Sequence, residues 1–161
     1  MDFRFCPKCG APLEVKAQHG RERPTCVTEG CGFVHWGNPT PVVAAIVEHE
    51  DQVLLARGRG WPEKLFGLVT GFLEAGESPE AGALREVKEE LGLDGEVVSL
   101  VGVYPFEVRN EVIIAFHVKA TGAVTLSDEL EAVKPVPPDK LRAWPFGTGL
   151  AVQAWLDRRA R

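Results

Sequence analysis

Between Gly71 and Leu93 the chain concentrates six glutamates into 23 residues, and no other stretch restricts its fold so tightly. Ser78 followed by Pro79 is a helix start, because the hydroxyl can accept from an early backbone N–H and proline is preset for the first helical position. Gly92 is the matching stop. The helix predicted over Glu80–Leu91 places Glu86, Glu89 and Glu90 at i, i+3 and i+4, on one face, with Leu84, Val87 and Leu91 on another. Three like charges on one face repel unless something positive sits among them. Arg85 can pair with one carboxylate, and a hard divalent cation such as Mg²⁺ or Mn²⁺, which takes oxygen ligands, suits the rest. The plainer alternative is a solvated acidic face with Lys88 interleaved.

All four cysteines fall in the first 31 residues, as Cys6-Pro7-Lys8-Cys9-Gly10 and Cys26-Val27-Thr28-Glu29-Gly30-Cys31-Gly32. Paired thiolates in glycine-relieved turns suit a tetrahedral Zn²⁺ ion, so Cys6, Cys9, Cys26 and Cys31 are expected to form one structural zinc site. Free buried thiols or a redox pair are the alternatives, and His19 and His35 are reserve ligands. The second pair has a four-residue spacer and predicts a looser turn. The sixteen residues between Cys9 and Cys26 leave room for a short hairpin with Gln18-His19-Gly20 near its tip. This pattern looks like a zinc ribbon, too small to fold without its metal.

Trp36-Gly37-Asn38-Pro39-Thr40-Pro41 is a turn-rich junction, which sets the expected division at 1–37 and 38–161. Beyond it, Val42–Glu48 and Val53–Ala56 read as a hairpin, Phe66–Thr70 leads into a loop, Val97–Val108 and Val112–Ala120 read as strands, and Thr148–Arg161 as a terminal helix. The expected fold is therefore α+β, a mixed sheet between helices, preceded by the ribbon. With 161 residues, one core domain and a small appendage fit. A formal charge of −5, from 18 basic and 23 acidic residues, disfavours long nucleic acid or an anionic membrane as the main partner and means that a phosphorylated ligand needs a bridging metal. No apolar run is long enough for a membrane span and no secretory signal is visible, so a cytoplasmic address is expected.

Gly71, Glu77, Arg85, Glu86, Val87, Glu89, Glu90, Gly92 and Leu93 fill every fixed position of a spacing that resembles the signature box of the Nudix hydrolases. The resemblance extends more loosely from about residue 40 to 145. It implies an α/β/α sandwich and metal-dependent hydrolysis of nucleoside diphosphates linked to a group X. By that resemblance Glu86 and Glu90 are the principal Mg²⁺ or Mn²⁺ ligands, Glu89 and the Gly71 carbonyl join the metal shell, and Glu77 and Arg85 organise the loop and helix. The general base is expected at Glu89 or Glu86, or in Asp128-Glu129-Leu130-Glu131, with Glu131 preferred over Glu129.

A ribbon before such a domain is similar to the branch of the family that cleaves NADH, FAD or ADP-ribose to two monophosphates, whose members are homodimers. The branch's NADH-specific Ser-Gln-Pro-Trp element is replaced here by Val101-Gly102-Val103-Tyr104-Pro105-Phe106. Arg57, Arg59, Lys64 and Arg109 are candidate phosphate contacts, and Phe72, Tyr104 and Phe106 candidate stacking partners for a base; exposed turn residues and buried core aromatics are the ordinary alternatives. Three other functions share this scaffold: a housecleaning nucleoside triphosphate pyrophosphatase, a decapping enzyme for RNA, and a non-catalytic regulator that senses a nucleotide or binds RNA.

Overall fold

The computed structural model describes residues 3–160. The chain divides into two compact units, residues 1–38 and 39–161.

The first unit is built on a hairpin of β1 (Leu13–Gln18) and β2 (Arg21–Cys26), paired antiparallel with Gln18 opposite Arg21. Its two-residue turn, His19-Gly20, has positive φ at both positions, the twist that matches a tight hairpin. Few of its residues are buried, and those include Cys6 and Cys26. A hairpin with so little apolar burial depends on something other than a core to hold it.

The second unit is a six-stranded mixed sheet between two helices. Its strands are β3 (Thr40–His49), β4 (Gln52–Gly58), β5 (Val69–Phe72), β6 (Asp94–Phe106), β7 (Glu111–Thr121) and β8 (Leu130–Val136). The order is β6-β7-β3-β4-β8, and β5 also pairs with β3. β3 and β7 run parallel, from Thr40 opposite Glu111 to Glu48 opposite Lys119, while the other pairings are antiparallel. The β3–β4 turn, Glu50-Asp51, takes positive φ at both residues without a glycine.

Helix α1 (Pro79–Leu91) starts and stops as its sequence dictates. The Ser78 hydroxyl accepts from the Ala81 amide at 3.2 Å, and Gly92 closes the helix at φ 71°. Such a cap contributes about 1 kcal/mol. Ala83, Val87 and Leu91, at i, i+4 and i+8, pack on Val43, Ala45 and Val47 from one face of β3. Ala44 and Ile46, on its other face, join Ala151, Val152 and Trp155 of α2 (Gly149–Arg159). α2 is one residue shorter at its start than the expected span, and Arg161 lies outside the described residues.

The sheet has more strands than the sequence pattern predicts. β5 spans the end of the Phe66–Thr70 segment and the start of the expected loop, β8 is a strand that the pattern does not show, and β6 begins at Asp94 rather than Val97. On the α2 face Glu48 and His117 are buried 2.8 Å apart, and Arg159 reaches the second Glu48 oxygen at 3.3 Å. This ties the end of α2 to β3 and β7 with the buried charges paired, as burial requires.

Candidate active site

Arg85 organises the acidic face of α1. Its Nε and Nη2 donate to the two Glu77 oxygens at 3.2 and 2.8 Å, Nη1 donates to Glu86 at 2.7 Å and Glu89 at 3.0 Å, and Nη2 also donates to the Phe72 carbonyl at 3.0 Å. One planar fork thus joins the end of β5, the loop before the helix and the helix itself. Glu77 accepts the Glu74 amide as well, at 2.8 Å. Arg85 first, and that amide second, hold the Glu77 carboxyl below the usual carboxylate range. The same pairs raise Arg85 further above its already high value, so its charge is permanent.

Gly71 lies on β5 opposite Val43 of β3. A Cβ there would fall on the Glu86 carboxylate, so glycine is the residue that lets this carboxylate lie against the strand.

Glu90 is in the opposite situation to Glu77. It is not among the carboxylates held by Arg85; burial pushes it up to about 8, and the charges of Glu86, Glu129 and Glu89 add to the rise. An acid kept from ionising by burial and three like charges is a place for a cation. The donors are hard oxygens, and Gly71 leaves the Glu86 carboxylate room against the strand, so the residues fit the divalent ion expected from the sequence. Among the described residues these carboxylates do not converge on one point as the cysteine sulfurs do, because Glu86 and Glu89 are turned to Arg85.

Glu90 and Glu129 line a cavity of about 230 Å³ together with Arg59, Trp61 and Thr70. Arg59 Nε donates to the Asp128 carbonyl at 2.7 Å and its amide to the Glu129 carbonyl at 2.8 Å, which clasps the loop that carries Glu129. A second cavity of about 470 Å³ shares Trp61, Leu68 and Thr70 with the first; Phe66, Phe106, Trp144 and Phe146 line it, with Lys64 and Arg109.

Of the residues singled out from sequence, the structure brings Gly71, Glu77, Arg85, Glu86, Glu89 and Glu90 together, sets Arg59 in the first cavity, and sets Phe106, Arg109 and Lys64 in the second. Four of the residues singled out lie elsewhere in the structure. Leu130 turns into the core beneath α1, so the alternation of β8 sends Glu131 to the other face, where it pairs with Arg57 at 3.5 Å. Glu129, just before the strand, is the acidic residue beside Glu90, and neither Glu131 nor Arg57 lines either cavity. Arg57 also lies over the Phe66 ring at 5.8 Å, held within the fold. The Phe72 ring is exposed and lines neither cavity, although its carbonyl holds Arg85. Tyr104 packs against the core on the α2 side. Trp61, Trp144 and Phe146 escaped the sequence reading, since loop aromatics carry no periodicity; Glu129 was within the flagged acidic run.

In the first unit, the Sγ atoms of Cys6, Cys9, Cys26 and Cys31 all lie within 4.8 Å of one another. Cys6–Cys31 is 3.8 Å and Cys9–Cys26 is 3.5 Å. A tetrahedral ion with Zn–S bonds of ~2.3 Å sets its ligands ~3.8 Å apart, so the four can hold a metal. The Thr28 amide donates to Cys26 Sγ at 3.4 Å, and Gly30 and Gly32 take positive φ in the longer second turn. Donation from the Ala11 amide, and then from Thr28 and Cys26, lowers the Cys9 thiol to about 6, into the range of a metal-ready thiolate.

Comparison with known proteins agrees with this geometry. Residues 38–152 match the family described as NUDIX domain. Over 161 aligned residues, 97% of the chain, it is 29% identical to a protein from Stutzerimonas stutzeri named NAD-capped RNA hydrolase NudC. A Mycobacterium bovis protein of the same name is 36% identical over 115 residues, 71% of the chain. The chain spans 57% and 36% of the length of these two relatives. Among solved structures, a NUDIX hydrolase from Nitrosomonas europaea superposes with TM-score 0.78 at 24% identity, covering 99% of this chain and 94% of that one. An ADP-ribose pyrophosphatase from Streptococcus suis shares the fold at TM-score 0.63 and 21% identity, over 77% of this chain and 94% of that one. With its sheet, its Arg85-centred acidic helix and a match across residues 38–152, the chain belongs to the NUDIX domain family.

Proposed function

We propose that this protein is a divalent-metal-dependent hydrolase of nucleoside diphosphates linked to X, with a dinucleotide or nucleotide-sugar such as NADH, FAD or ADP-ribose as substrate and two monophosphates as products. The observation that carries this reading is Glu90, a half-buried carboxyl beside Glu86, Glu89 and Glu129 at the wall of a cavity. The relatives named NAD-capped RNA hydrolase support it, because an NAD cap presents the same diphosphate. Their name also brings RNA back as a partner that the acidic net charge disfavours; an RNA that carries the cap belongs among the substrates.

Glu86 and Glu90, with Glu89 and the Gly71 carbonyl, would hold the ion. When bound, Mg²⁺ or Mn²⁺ neutralises diphosphate oxygens and stabilises the leaving phosphate. The chain's own groups do the rest. Arg85 and Glu77 lock the loop to the helix, so the carboxylates keep their spacing. A water adds to phosphorus, the phosphoanhydride P–O bond breaks, and the electron pair leaves on the departing monophosphate. The water proton passes to a carboxylate of the cluster, Glu89 or Glu86, or Glu129 in the role first given to Glu131. Arg59, Arg109 and Lys64 supply positive charge near the phosphates, and the aromatic cavity receives the base.

The four cysteines belong to the same proposal as a structural Zn²⁺ site in a ribbon of residues 1–37 before a catalytic domain of 38–161, and so does the homodimer. Among the described residues no helix is long and apolar enough to cross a membrane; the proposed address is the cytoplasm.

Purified protein with Mg²⁺ or Mn²⁺, offered NADH, FAD, ADP-ribose, NAD-capped RNA and nucleoside triphosphates, is expected to release AMP or a 5′-monophosphate RNA together with a second monophosphate. EDTA is expected to stop it. Pyrophosphate release from triphosphates alone would reassign the protein to the housecleaning class.

A further inference from the structure

We propose that Trp61 is a substrate-binding residue, the stacking wall on which the planar base of the substrate rests as its diphosphate enters the acidic cavity. The inference builds on the proposed diphosphate hydrolysis, and it concerns a residue outside the acidic helix and its loop.

Trp61 lines both cavities, the one with Glu90 and Glu129 and the aromatic one with Phe106 and Phe146. Its indole lies over two glycines. A Cβ at Gly58 would stand 3.0 Å from the ring, and one at Gly67 would stand 3.5 Å from its far edge. Gly58 ends β4 and Gly67 bridges back to Ala56, so both glycines belong to paired backbone rather than to free loop. The ring thus sits close against paired backbone, at positions where side chains would crowd it. At 44% exposure it is left available on the cavity side, an unusual state for a tryptophan lodged against strands. The amide of Trp61 donates to the Gly58 carbonyl at 3.1 Å, which fixes the turn that carries it.

A cavity of about 470 Å³ is within the range of small-molecule sites and is lined by rings together with Lys64, Arg109 and one carboxylate, Glu111. That lining suits a flat heteroaromatic base with phosphate attached, and suits an extended aliphatic chain poorly. Placing one ring at the junction of the two cavities couples where the base sits to where the diphosphate lies.

The test compares wild type, Trp61→Phe and Trp61→Ala, first by circular dichroism to check folding, then by steady-state kinetics on ADP-ribose and NADH with Mg²⁺. Loss of base stacking is expected to raise KM of Trp61→Ala about tenfold, with kcat within about threefold, and Trp61→Phe to recover most of the loss. Binding is read separately, without turnover, by titrating AMP and nicotinamide mononucleotide against tryptophan fluorescence. Because Trp144 lines the same cavity, quenching that persists in Trp144→Phe and vanishes when Trp61→Phe is added supports the proposal. Unchanged KM together with quenching retained in that double variant overturns it. If no dinucleotide is hydrolysed but AMP quenches through Trp61, the diphosphatase reading fails while the base site stands.

Discussion

Gly71 shows how much a single missing side chain decides. Its φ is not in the left-handed region, so alanine fits the backbone; what a methyl meets is the end of the Glu86 side chain. Gly71→Ala is therefore expected to fold, with a melting temperature within about 4 °C of wild type, roughly 1 kcal/mol at this length, because a flexible carboxylate can swing aside. Hydrolysis should fall about a hundredfold, since Glu86 leaves its place among the proposed metal ligands. Differential scanning calorimetry beside a turnover assay checks both halves, and a variant that keeps full activity would show that Glu86 need not lie where it does. The box residues were legible through their resemblance to a known signature spacing, and the structure brings Glu77 of the loop to Arg85 of the helix at 2.8 Å. The roles of Arg57 and Glu131 were not legible. Both are charged residues in flagged segments, and only the alternation of two paired strands reveals that they face each other away from α1.

At the scale of elements, local signals decided helices and misjudged edges. α1 begins and ends on capping residues that any reader of the sequence can find. β8 hides because Pro135 lies inside it, and proline is tolerated there since the strand is the last in the sheet. β6 starts early because Gly95, which resembles a turn residue, is in the strand; a Cβ there would crowd Val118 and Leu84. β5 is four residues long and contains Gly71, too short and irregular to show a period. The β1–β2 hairpin has little apolar burial, so under the proposed zinc site its stability rests on the metal held by the cysteine cluster. Cys26→Ser is expected to reduce bound Zn²⁺ from one per chain to less than ~0.2 and to abolish amide-exchange protection across β1–β2, as for small domains that fold with their metal. Elemental analysis and hydrogen exchange measure these directly; an unchanged zinc content would remove the ribbon assignment.

For the whole molecule, the proposed function depends on residues far apart in the chain meeting at one end of the sheet. Arg59 and Trp61 from the β4–β5 connection, Thr70 from β5, Glu90 from α1 and Glu129 before β8 line one cavity, while Phe106 and Phe146 join Trp61 in the next. The sequence revealed the acidic helix and could not reveal the aromatic cavity, because no periodicity links positions 61, 106 and 146. In the proposed function, Glu90, held unfavourably among like charges, is a ligand on which metal-dependent diphosphate hydrolysis depends. The most direct measurement is the Mg²⁺-dependent hydrolysis rate of ADP-ribose by wild type and Glu90→Gln side by side, with folding checked by circular dichroism. That role predicts turnover in wild type, abolished by EDTA, and a loss of about a hundredfold or more in a folded Glu90→Gln protein, the scale of losing a catalytic metal's charge stabilisation. A Glu90→Gln enzyme within a few-fold of wild type, at the same Mg²⁺ concentration, would contradict it.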